Sequence, residues 1–221
     1  MREPRPYELA DAAIRKLNRQ TILRLNKTAK KLLIENFDEL NVMKEADTLY
    51  TALEADNQTA FRKLFHLRFA EMYQYCAGRQ YSGSGKKAID SIVEMYLTGI
   101  LSDPDSVTKY EYDAEVVRKR DRAKEAVIAV TGNAQKRLEL EKAIRLWNQM
   151  TQQYVDTVSD AAAVAAMKEA GIYYVQWHTQ EDDKVCEDCH EWGKKIFRID
   201  LLPNKPHWRC RCWISPVRSK K

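Results

Sequence analysis

Long apolar runs are missing from this chain. No stretch reaches the roughly eighteen apolar residues that a membrane-crossing helix needs, which predicts no membrane partner. The opening residues, "MREPRPYELADAAIRK", hold no apolar signal core. They predict a protein that stays in a reducing compartment. Glycine and proline are scarce, at seven and six of 221 residues. Cysteine is scarcer, at five, and four of those five lie in residues 185–213. Under reducing conditions such clustering points to metal or redox chemistry before a structural disulfide.

What is present fits a globular class. Hydrophobic residues make up 44% of the chain and charged residues 31%. The length is enough to bury a core, as one domain or two small ones. The net charge of +5 is spread unevenly. Residues 1–31 carry nine Lys/Arg against three acids, and residues 194–221 carry nine against Asp200 alone. Between them "EDDKVCEDCHE" holds six acids and one lysine. Basic ends suit a polyanion or an acidic partner surface, or simply a solvated helix face and a charged tail.

Most of the chain reads as helix. Residues 6–40 have no internal glycine or proline, and Leu25, Ala29, Leu32 or Leu33, and Phe37 recur at helical spacing. Residues 45–76 place Phe61, Phe65, Phe69, Met72 and Cys76 on one face. That stripe predicts core, with Cys76 as a small buried apolar residue. "AGRQYSGSGKK" holds three of the seven glycines and predicts a connector. It lacks the full phosphate-loop spacing. Short or charged helices are predicted over residues 88–101, 112–130, 134–154 and 158–170. Leu138, Ala143 or Ile144, Trp147 and Met150 form the buried side of the third. "DAAAVAAM" suits close helix packing, and Gly171 sits where a left-handed residue would stop the helix.

After Gly171 the texture changes. "IYYVQWHT", "KKIFRID" and "RCWISPV" read as three short strands. The predicted fold class is mainly α. A multi-helix body over residues 1–170 precedes a small α+β unit over 171–221, with short strands around a Cys/His cluster.

The cluster comprises Cys186, Cys189, His207, Cys210 and Cys212. Its spacing is C-x2-C, seventeen residues, then H-x2-C-x-C. A C-x2-C turn lets two sulfurs converge on one ion. The second pair is either His207 with Cys210 on a turn or Cys210 with Cys212 on one strand face. One tetrahedral zinc would take four of the five, and would supply folding free energy to a unit poor in apolar residues. The alternatives are packed thiols or a C-x2-C disulfide. Redox C-x2-C motifs start a helix in a βαβ setting, whereas this one reads as an acidic turn, which raises thiol pKa. No catalytic ordering of serine, histidine and acid is legible. Neither His190 nor His207 has the surroundings of a nuclease base, and His66 reads as structural or exposed.

The segment "DTVSDAAAVAAMKEAGIYYVQWHTQEDDKVCEDCHEWGKKIF", followed by "KPHWRCRCWISP", resembles the phage Mu F-like minor head proteins, also called phage head morphogenesis proteins. The matching positions are Gly171, Trp177, Asp182 or Asp183, Cys186, Cys189, Gly193, Phe197, Pro206, His207, Cys210, Arg211 and Cys212. The chain departs by carrying Trp208 and Arg209 where many members have proline and asparagine. The resemblance implies a low-copy structural protein of a tailed-phage head, not an enzyme. It implies portal protein and major capsid or scaffold protein as partners, and a place inside the virion after assembly in the host cytoplasm. Double-stranded DNA is a further expected partner, met non-specifically by Arg209, Arg218, Lys220 and Lys221. The rival reading from another class is a zinc-dependent nucleic-acid-binding module, and a weaker one is a nuclease.

Overall fold

The computed structural model describes residues 8–34, 39–82, 89–94, 122, 125, 136–180, 182, 185–203, 205–206 and 210–217. Three long helices dominate: α1 (Glu8–Ile34), α2 (Glu39–Ala77) and α3 (Lys136–Glu169). They are followed by β1 (Tyr174–His178), a short α4 (Glu187–Trp192), β2 (Ile196–Arg198), a 3-10 turn (Ile199–Leu201) and β3 (Trp213–Pro216). Among the described residues no helix is long and apolar enough to cross a membrane.

The chain divides into two compact units. One takes Met1–Leu9, Arg62–Tyr112 and Asp156–Lys221; the other takes Ala10–Phe61 and Asp113–Val155. Helices α2 and α3 contribute residues to both.

In the second unit Leu25, Ala46, Leu49, Tyr50, Leu53, Ala143, Trp147 and Met150 form one buried cluster. The cross-contacts give the helix directions. Arg24 Nη2 donates to Asp56 Oδ1 at 2.9 Å, and Lys31 pairs with Glu45, so α1 and α2 run antiparallel. Tyr50 meets Trp147, Asn57 Nδ2 donates to Thr151 Oγ1, and Phe61 meets Tyr154. Both numbers rise together, so α2 and α3 run parallel there.

In the first unit the aromatic stripe is buried as its spacing predicts: Phe65, Phe69 and Met72 are each at most 1% exposed. Cys76 departs from the prediction, because it is only half-buried near the end of α2. Tyr81 folds back edge-on to Phe69 and Tyr73, and its hydroxyl donates to Glu169. The helical residues 89–94 are tied to α2 by Arg62 with Glu94 and His66 with Asp90. The predicted helix over 112–130 lies mostly outside the described residues, as do residues 95–101.

Two further predictions change. The break near residues 154–158 does not occur, and α3 is continuous from Lys136. No glycine or proline interrupts that stretch, so the i to i−4 hydrogen bonds carry on through it. Leu138, predicted to be buried, is exposed. It sits in the first turn of α3 and is 56% exposed.

Helix α3 ends as its glycine predicts. Gly171 has φ +73°, its N–H donates to the Lys168 carbonyl, and Ile172 N–H donates to the Met167 carbonyl. These are the paired bonds of a Schellman stop. A Cβ at Gly171 would meet nothing within 4 Å. The cost of substitution is therefore backbone strain alone. Gly171→Ala should lower unfolding stability by about 1–2 kcal/mol, and Gly171→Asn by less. Denaturant titration of both variants measures this, and an unchanged midpoint for the alanine variant would refute it.

Candidate metal centre

The sheet that carries the cysteines has strand order β2-β1-β3, all antiparallel. The register pairs Val175 with Phe197 and Pro216, and Trp177 with Ile214. Side chains alternate across a strand, so these five share one face. Val175 and Trp177 are buried, while Tyr174 on the opposite face is exposed. On that opposite face His178 stacks on Trp213, and its Nε2 lies 2.7 Å from Ser215 Oγ.

Between β1 and β2 the chain makes α4. Cys186 is its N-cap, with the Sγ accepting the Cys189 N–H at 3.4 Å. The C-x2-C is thus the opening of a short helix, not the plain acidic turn its composition suggests. The flanking strands are antiparallel, so the setting still differs from a βαβ unit. Lys194 N–H donates to the Trp177 carbonyl, and Trp177 N–H donates to the Lys195 carbonyl. These bonds close the β1–α4–β2 excursion back onto β1. The cap therefore delivers Cys189 to the inner sheet face.

Cys189, Cys210 and Cys212 are all buried and meet there. Their three Sγ atoms lie within 4.8 Å of one another, and the Cys189 and Cys210 sulfurs are 3.4 Å apart. Sulfurs bound tetrahedrally at 2.3 Å to one ion stand about 3.8 Å apart, so this spacing fits a shared metal. None of the five cysteines forms a disulfide. Trp177, with Val185, Cys186, Trp192, Phe197, Leu202 and Ile214, packs around the three thiols. Trp192 stands edge-on to Trp177 at 5.2 Å.

Burial pushes the Cys189 thiol well above its ordinary pKa, with Cys186 and Cys210 adding to the rise and Cys212 opposing it. The Cys210 thiol is pushed up by its hydrogen bond with Cys212 and by burial. A bound cation reverses that balance by deprotonating them.

Charged side chains brace the loops that bring the thiols together. Lys205 Nζ lies 2.6 Å from Asp160 Oδ2 on α3 and donates to the Cys210 carbonyl at 3.4 Å. Arg211, inside the C-R-C, pairs with Asp182 at 2.7 Å. Both side chains are substantially exposed, so this bridge contributes only about 0–1 kcal/mol. The Lys205–Asp160 contact was not legible from spacing, because the two residues lie far apart in the sequence.

Of the five predicted ligands, the structure brings together Cys189, Cys210 and Cys212, with Cys186 half-buried beside them. His207 lies outside the described residues, as do Arg209, Arg218, Lys220 and Lys221. His190 is exposed on α4.

Fold and site together define a mostly helical protein with a C-terminal three-stranded antiparallel sheet and a buried cysteine cluster able to hold a metal ion. Comparison with protein-family profiles, curated proteins and solved structures yields no significant match.

Proposed function

We propose that this chain is a minor head protein of a tailed bacteriophage, structural and not catalytic, with a zinc ion stapling its C-terminal unit. The observation that supports this best is where the signature residues sit. Gly171 stops α3, Trp177 and Phe197 line the inner core, and Cys189, Cys210 and Cys212 converge within it. Arg211 pairs with Asp182. The described residues behind the resemblance thus serve one small structural unit. Three buried thiols select a soft or borderline cation, and zinc suits a site with no redox task. Zinc in this role fixes the loops around α4 and before β3; the chain's own helices supply the surfaces for portal, capsid or scaffold protein.

Co-expression with portal protein tests the reading. The full chain should copurify with portal, and the stripped protein should carry about one zinc per chain after re-loading. Copurification with nucleic acid and not with portal would favour the nucleic-acid-binding module instead.

DNA binding in this reading is weak and sequence-indifferent. Changing Arg209, Arg218, Lys220 and Lys221 together to glutamine should flatten the salt dependence of binding by roughly 0.9 for each phosphate that is no longer neutralised. A quadruple variant with an unchanged salt slope rules DNA out as a partner of this segment.

A further inference from the structure

Three converging thiols leave a tetrahedral ion one ligand short. Two features of the same core bear on the completed site. The first is Cys186. It is half-buried, packs against the cluster that the other three cysteines form with Trp177, and already holds its sulfur on the first turn of α4 through the Cys189 N–H. N–H donors of this kind orient a ligand and favour its ionised form. The second is Trp177. Its ring is 2% exposed and packs with Cys189, Cys210 and Cys212. Its indole Nε1 is buried without a hydrogen-bond partner. A buried orphan donor is costly and calls for an explanation. A neutral thiol is a weak acceptor, whereas a thiolate is a charged and much stronger one. Four thiolates around one divalent cation carry a net double negative charge, which such donors stabilise.

We infer that Cys186 completes a four-thiolate site and that the Trp177 indole N–H hydrogen-bonds one of the metal-bound sulfurs. This rests on the metal reading above and specifies its ligands. Trp177 does not touch the ion; it is a positioning residue that acts through a ligand. That N–H has no partner among the described residues, and a metal-bound sulfur would supply one. The Lys205 ammonium, paired with Asp160 and bonded to the Cys210 carbonyl, adds a positive charge next to one ligand's backbone.

The full chain loaded with zinc provides the test. X-ray absorption at the zinc edge should show four sulfurs at about 2.3 Å. A shell with three sulfurs and one nitrogen or oxygen at about 2.0–2.1 Å overturns the Cys186 assignment. Trp177→Phe keeps the ring and deletes the N–H. Its zinc affinity, measured by chelator competition, should fall roughly 10–100-fold, and an unchanged affinity overturns the role of Trp177. The unaltered protein, loaded with the spin-active cadmium isotope, gives a readout that does not depend on the variant folding. The indole proton of Trp177 should show scalar coupling to the metal and slow exchange with solvent. Absence of that coupling also overturns the hydrogen bond. A chain that takes up no zinc in any of these experiments overturns the metal reading itself, an outcome distinct from a wrong ligand.

Discussion

Stripping zinc from the proposed site with a chelator should unfold the three-stranded sheet and leave the long helices standing. The inner core of that sheet explains the size of the effect. Of the four fully buried residues of its thiol cluster, three are the cysteines Cys189, Cys210 and Cys212 and the fourth is Trp177, while Trp192, Phe197, Leu202 and Ile214 are only partly buried against them. Without an ion, Val175, Trp177 and a ring of partly buried side chains around three small thiols must hold two loops and three short strands. Apparent binding free energies for structural zinc are about 10–16 kcal/mol, comparable with or larger than the whole stability of a typical domain. Hydrogen exchange measures the result. The amides of Trp177, Lys194, Ile199 and Val217, all bonded to the β1 segment or its closing turn, should lose protection on chelation. Amides in the middle of α1 and α2 should keep theirs. Cys189→Ser should reproduce the chelated pattern. Equal protection with and without chelator would show that packing alone holds the sheet.

Trp147→Ala should be the most damaging single substitution in the other unit. Trp147 is 1% exposed and sits at the centre of the cluster that joins α1, α2 and α3. Its ring stands edge-on to Tyr50, with centroids 5.1 Å apart. Truncating a buried tryptophan removes its transfer free energy and leaves a cavity, at a cost of about 3–5 kcal/mol. That is a large part of the roughly 5–15 kcal/mol a domain has in total. Trp147→Phe should cost much less. It retains an aromatic contact and removes an indole N–H that is buried without a partner, which offsets part of the reduction in volume. Denaturant midpoints for the two variants decide this. An alanine variant within about 1 kcal/mol of the parent would mean that Trp147 does not hold the three helices together.

Local patterns in the sequence determined the elements. A helix needs only side chains three and four residues apart and the absence of breakers, so the α1 and α2 segments and the glycine stop at Gly171 were legible. The three strands were legible from β-branched and aromatic runs after Gly171. The cysteine spacing marked out a candidate metal unit, because ligand pairs two or three residues apart are themselves local. Tertiary structure decided the rest. Nothing local says whether an apolar residue meets a neighbour, so Leu138 is exposed and Cys76 half-exposed while Phe65 and Trp147 are buried. Nothing local says which sulfurs meet across a gap of 21 residues. That depends on β1 lying between β2 and β3, which places Cys189 against Cys210 and Cys212 on the inner sheet face. The Lys205–Asp160 tether and the orphan indole of Trp177 arise in the same way. Each depends on segments distant in sequence, and only the fold brings them together.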